Sequence, residues 1–343
     1  MVIWLGLHVR VSQSFNNSYL GNIMKTKIYV LLLLGVLVSC NTQTKKTSDL
    51  TANATSESYT GPIIDMHIHS FGEGNPLFGM THPPTLRGEI YQGVASPSEQ
   101  KAKTLELFKK HKVVKAMVSD GESWYQEFPE IVLIGGANTS VEALRKQHEE
   151  GKLDVLGEMA PFYQGILAND PAILPYFELG QELDIPVGFH IFPGGPNYGV
   201  HLLPEMLGGM RTYNANPLQL EDALVQFPDV RVYIMHGGWP YTEDVKALMY
   251  AHPNVYVDIA VLNWILPKEE FYDYLRSLIN SGFGDRIMFG TDQMVWPELI
   301  VVAVETVNTA DFLTLEQKAA IFYDNAAKFL GLTDKEMKTH KSK

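Results

Sequence analysis

The chain is poor in cysteine and in positive charge. Of its 343 residues one is cysteine, Cys40, so no disulfide can form within it and a packed core must hold the fold. Lys and Arg number 27 against 39 Asp and Glu, a formal net charge of -12. An acidic surface repels phosphate backbones, which argues against a nucleic-acid partner. The apolar run Ile28 to Val38 falls short of the ~20 residues that an ordinary transmembrane helix needs. Several catalytic signatures are missing as well. No G-x-G-x-x-G follows Ile64, His148-Glu149-Glu150-Gly151 is not H-E-x-x-H, and no serine sits in G-x-S-x-G. Gly194 to Gly199 lacks the strand–loop–helix context of a phosphate loop and reads as a turn-rich active-site loop.

What is present is a large core. Hydrophobic residues make up 45%, with 28 glycines and 19 prolines to supply loops. At the N-terminus, Lys25 and Lys27 precede the apolar run, and Leu37-Val38-Ser39-Cys40 closes it. "LVSC" resembles a bacterial lipoprotein signal, which implies that residues 1–39 are removed and Cys40 is lipidated. Met24 is then the expected start, with 1–23 an extension. Residues 40–60, rich in Ser, Thr, Asn and Lys, read as a flexible tether. The expected location is the bacterial cell envelope, lipid-anchored on the periplasmic or surface side.

From Gly61 short apolar runs alternate with helical segments. Strands are expected at Ile63–His69, Val113–Ser119, Ile131–Ile134, Asp154–Met159, Pro186–Phe192, Arg231–His236, Asn254–Ala260 and Arg286–Thr291. Ser96-Pro97-Ser98-Glu99 and Thr139-Ser140-Val141-Glu142 have the form of helix N-termini. Pro217–Phe227, Thr242–Ala251, Lys268–Ile279 and Thr314–Leu330 complete the helix candidates. Strands alternating with helices imply parallel pairing with right-handed crossovers. Eight units over residues 61–332 predict a single-domain α/β protein, a (β/α)8 TIM barrel, followed by a polar tail at 333–343. An open doubly wound sheet is the alternative. The insertion after the first strand, Phe71–Val94, has the length and the Gly and Pro content of a lid or binding loop.

Barrels of this kind place their chemistry at the C-terminal strand ends. Those ends carry His67 and His69, Glu158, His190, His236 and Asp292. Any one histidine in an apolar run is more often a hydrogen-bonded core residue than a ligand. Ligand-type side chains at five strand ends together point to a divalent cation, for which imidazole and carboxylate suit zinc. Asp65, one layer deeper, is expected to orient a ligand histidine, and Asp258 to be structural. Arg211, after the Gly208-Gly209 turn, is expected to bind an anionic group of the substrate.

"DMHIH", "GFH", "YIMHGGWP", "NVYVDIA", "FGTDQ" and "NAAKFLGL" together resemble the amidohydrolase-related family, a branch of the amidohydrolase superfamily that includes hydrolases, lactonases and non-oxidative decarboxylases. The resemblance spans about residues 61 to 332. It implies that His67, His69, His190 and Asp292 hold the metal, and that His236 is a second ligand or a catalytic histidine. Glu158 stands where many members carry a carboxylated lysine. "GE" resembles the TatD-type deoxyribonucleases, but Met159-Ala160-Pro161 departs from their pattern. One or two ions are both compatible with this set; with two, Glu158 would bridge. The expected activity is hydrolysis of an ester, lactone or amide of a small molecule. Asp292 would be the general base and His236 the oxyanion stabiliser. A decarboxylase and a lipid-anchored binding protein without catalysis are the alternatives.

Overall fold

The computed structural model describes residues 57–82, 85–195 and 208–342. Cys40 and the signal segment lie outside them. All eight expected strands form: β1 Ile63–His69, β2 Val113–Ser119, β3 Val132–Gly136, β4 Val155–Met159, β5 Val187–His190, β6 Val232–Met235, β7 Val255–Asp258 and β8 Ile287–Met288. They pair in parallel in chain order from β1 to β8. Backbone bonds then bring the end of the sheet back to its beginning. Met66 N donates to Phe289 O (3.0 Å), Asp292 N to His67 O (2.7 Å) and His69 N to Gln293 O (3.0 Å). The result is a nearly closed (β/α)8 barrel.

The strands read as continuous apolar runs because both of their faces are buried. Below the candidate site the barrel is filled by Tyr233, whose hydroxyl donates to Met66 O at 3.3 Å. Its ring passes Gly188, where an added Cβ would lie 2.5 Å from the ring, so glycine is required there.

The helix Pro97–His111 starts as expected: Ser96 accepts from Glu99 N at 3.2 Å, a cap worth about 1 kcal/mol. The structure adds helices beyond the candidates: the longer Leu174–Glu182 and Leu299–Asn308, and the single turns Glu122–Tyr125 and Leu262–Ile265. The C-terminal stretch expected only as a polar tail is the helix Asp334–Lys341. It opens on a Thr333–Glu336 capping box, and His340 is buried. The end of the expected tether is also docked. Tyr59 stacks on Phe322 with centroids 5.5 Å apart, and its N–H donates to Asn308 Oδ1 at 2.8 Å.

The insertion after β1 is strapped over the barrel mouth. His82 N donates to Tyr91 O, Val94 N to Val295 O and Leu86 N to Ile265 O. The Arg87 guanidinium reaches Leu266 O, Asn263 O and Thr306 Oγ1.

Candidate metal centre

His67 and His69 end β1, two residues apart and therefore on one face. Asp258, at the end of β7, stands behind His67: its Oδ2 lies 3.2 Å from His67 Nδ1. That contact fixes the ring so that Nε2 faces the site. Asp258 Oδ1 also accepts from His236 N (2.7 Å) and Ala260 N (3.1 Å). The orienting role expected of Asp65 therefore belongs to Asp258. Asp65 instead ties backbones together, accepting from His67 N, Thr291 N and Thr291 Oγ1. Burial pushes its carboxyl up to about 7 despite those bonds.

His236 and Asp292 follow their strands on left-handed turns, with φ of 60° and 52°. A non-glycine residue in this region is uncommon, and histidine and aspartate tolerate it better than most. The turns stop the ladders and aim both side chains into the barrel mouth.

The ligand-type atoms fall into two groups on either side of one carboxylate. On the first side, Glu158 Oε2 lies 3.3 Å from His69 Nε2 and 3.7 Å from His67 Nε2. Asp292 Oδ1 lies 2.9 Å from His69 Nε2 and 3.5 Å from His67 Nε2. On the second side, Glu158 Oε1 contacts His190 Nδ1 and stands 3.2 Å from His236 Nε2, while the two imidazole nitrogens are 3.0 Å apart. Ligands about 2.0–2.2 Å from a zinc ion stand roughly 3–3.5 Å from one another, which is the spacing seen here. His67 Nε2 and Asp292 Oδ1 are buried and have no hydrogen-bond partner. Close approach of a nitrogen and a carboxylate oxygen without a hydrogen bond is the signature of donors arranged for a shared cation. These residues fit a divalent metal.

The electrostatics agree. Burial opposes charging of His67 and His69, yet Asp292 and Glu158 outweigh it. His67 is raised well above its usual value and His69 to about 9. Burial likewise opposes ionisation of Glu158, but His190 and His67 hold its carboxyl well below the usual range. Asp292 is lowered against burial by His67 and His69. Two ionised carboxylates at the bottom of a pocket demand positive charge, which protonated His67 and His69 or a bound cation would supply.

The groups open into a cavity of about 760 Å3. Phe71, Phe192, Trp264 and Trp296 line it, with His82 from the insertion. Tyr163, in the turn after β4, puts its hydroxyl 3.3 Å from His190 Nε2. Burial, then Glu158 and Asp292, raise its pKa well above the usual value, so it stays a phenol. Neither His82 nor Tyr163 was singled out from the sequence. Both lie in loops, where no strand-end rule points to them.

Arg211 does not line the cavity. It is exposed, and its Nη1 donates to Gly208 O (3.1 Å) and Met210 O (2.7 Å). The reason is local packing. Gly209 N donates to Tyr163 O, and a Cβ on Gly209 would collide with the Gln164 backbone. That close approach folds the turn against the segment after β4 and leaves Arg211 outside.

Comparison with known proteins agrees with the barrel. A structure described as a probable 2-pyrone-4,6-dicarboxylic acid hydrolase from Acinetobacter baumannii, with citric acid bound, superposes with a TM-score of 0.53. Its identity is 14%, over 79% of this chain and 99% of that one. The 5-carboxyvanillate decarboxylase of Sphingomonas paucimobilis gives 0.50 at 15% identity, over 67% of this chain and 82% of that one. At such identities the likeness is one of fold. Protein fluG of Emericella nidulans is 27% identical over 89 residues, which is 26% of this chain, and the match spans only 10% of that protein. Residues 122–332, more than half of the chain and all of β3 to β8, match the family model described as amidohydrolase, and the chain belongs to that family.

Proposed function

We propose that this protein is a metal-dependent hydrolase that cleaves an ester, lactone or amide bond of a small molecule. The observation that carries the reading is the split of donors about Glu158. His67, His69 and Asp292 face its Oε2, while His190 and His236 face its Oε1. His67, His69 and Asp292 would hold one cation and His190 and His236 a second, with Glu158 shared. The imidazole and carboxylate donors suit zinc. A divalent ion there supplies Lewis acidity, which polarises an acyl oxygen and makes water a better acid.

The chain's own groups supply the rest. Asp292 stays ionised and lines the cavity, so it takes a proton from the attacking water and returns it to the leaving group. Asp258 keeps the His67 ring from turning. With His236 Nε2 engaged by His190 and Glu158, this reading gives the developing oxyanion to the Tyr163 hydroxyl, which stands beside His190 and lines the cavity. It assigns to Tyr163 the role that the sequence suggested for His236, and uses His236 as a ligand.

The test is metal analysis of protein purified without chelator, then a panel of esters, lactones and amides on that sample. Asp292→Asn should lower kcat by about 10²- to 10⁴-fold, the range for loss of a general base. Wild-type-like turnover in this variant would sink the assignment. The second reading, a decarboxylase, is supported by the decarboxylase among the neighbours of similar fold. Release of CO₂ from aromatic carboxylic acids, without hydrolysis of any panel member, would select it.

The Cys40 lipid anchor and the cell-envelope location form part of the same proposal. The "LVSC" motif supports them.

A further inference from the structure

We infer that the substrate is an uncharged molecule with an aromatic or otherwise apolar body, and that the cavity selects against a carboxylate away from the reacting bond. This rests on the hydrolase reading above and narrows it. The argument starts from charge. Among the described residues no Lys or Arg lines the cavity. The segment 196–207, which follows the lining residue Gly195, contains neither residue type in its sequence. Two basic residues of the surrounding loops are directed elsewhere. Arg211 folds back on its own loop, and Arg87 is committed to Leu266 O, Asn263 O and Thr306 Oγ1.

Three carboxylates do line the cavity: Glu158 and Asp292 at the ligand groups, and Asp120 after β2. The first two face the ligand groups and would offset only part of the charge of the cations held there. Asp120 is exposed, so it meets an incoming anion with like charge.

The walls add a second, independent argument. Away from Tyr163 at the ligand groups, three polar aromatic groups of the wall have already given away their protons. Trp264 Nε1 donates to Thr291 O (2.6 Å), Trp296 Nε1 to Met80 O (3.0 Å) and the Tyr176 hydroxyl to Thr139 O (3.0 Å). What they present to a ligand is ring carbon. Phe71 and Phe192 offer nothing else. A remote carboxylate would be desolvated against these rings and would find only neutral donors, such as the Ser119 hydroxyl and the Asn138 and Gln164 amides, and no paired cationic side chain among the described lining residues, which is costly, whereas an aryl or alkyl body would be buried at a gain. The volume, about 760 Å3, falls in the range that holds drug-sized ligands.

The experiment uses zinc-loaded full-length protein and matched pairs. An aryl alkyl ketone, which cannot be hydrolysed, and the same ketone bearing a ring carboxylate are compared by isothermal titration. The corresponding aryl esters are compared for turnover. The neutral ketone should bind about tenfold or more tightly than its carboxylate. Asp120→Asn should narrow that gap, since asparagine also tolerates the φ of 57° at this position. Equal affinity, tighter binding of the carboxylate, or no binding of the neutral ketone overturns the inference. Turnover of neither ester with the ketone preference intact would count against the hydrolase reading while leaving the selectivity of the cavity established.

Discussion

Asp258 and His67 are a buried pair: the carboxylate Oδ2 lies 3.2 Å from His67 Nδ1, and neither side chain is exposed. The pair fixes a tautomer, because a proton on Nδ1 leaves Nε2 free as a donor to a cation. Asp258→Asn keeps an acceptor for His236 N and Ala260 N. Its amide, however, turns N–H groups toward Nδ1 and favours the tautomer protonated on Nε2. Metal affinity should fall by about 10- to 100-fold, the usual effect of losing such a partner. Titration with zinc against a competing chelator measures it, and an unchanged affinity would show that the pair has no orienting role.

Glu158 should set the metal count. Wild-type protein loaded with zinc and freed of excess is expected to hold two ions per chain, and Glu158→Gln one. Elemental analysis decides between bridging and a single ion. Content near one in both proteins, with activity lost only in the variant, would leave Glu158 a role in the reaction without bridging.

Asp154 allows a test of stability away from the site. Its Oδ2 accepts from Ile134 N at 2.7 Å, but burial raises its pKa above the usual value. A carboxyl with a raised native pKa binds its proton more tightly folded than unfolded. Its contribution is therefore present below the unfolded pKa of about 3.9 and is lost as pH rises through the native value. At neutral pH the ionised form is a cost. Asp154→Asn retains an acceptor, so Tm should rise slightly at pH 7 and match wild type near pH 3. A lower Tm at pH 7 would contradict this.

Cys40→Ala should move the protein from the membrane fraction to the soluble fraction of a bacterial host. Cys40 lies outside the described residues, and the expectation comes from "LVSC" and the polar stretch that follows. Retention of the full-length variant in the membrane would remove the lipid anchor from the account.

The strands were legible because parallel strands buried on both faces leave uninterrupted apolar runs bounded by Gly, Pro and charge. Leu174–Glu182 and Leu299–Asn308, two of the helices outside the candidates, lack a clear helical signature. Leu299–Asn308 is rich in Val and Ile, weak helix formers, and forms because Leu299, Ile300, Ala303, Val304 and Val307 are all buried. Leu174–Glu182 starts without a side-chain cap and contains Gly180 on its buried side. In the site, strand-end position located six side chains that the structure brings together. It could not separate Asp65 from Asp258, since both are buried acids on apolar strands and only the cross-barrel register places one of them behind His67. The wall formed by the β1 insertion, and the outward turn of Arg211, depend on loop packing that no period in the sequence encodes.

The ring closure at His67 O and Asp292 N has a consequence for assembly. The first candidate cation site joins the beginning of the barrel sequence to its end, and Glu158 extends it to the middle. A chain still lacking β8 displays the histidines without the aspartate. High-affinity loading of a cation at this site would therefore wait for the last βα unit to dock, and such long-range pairing is the slow part of building a β-rich topology. A cation bound there would act as a clasp on that seam. It would favour the folded state by mass action and resist opening where the first strand meets the last.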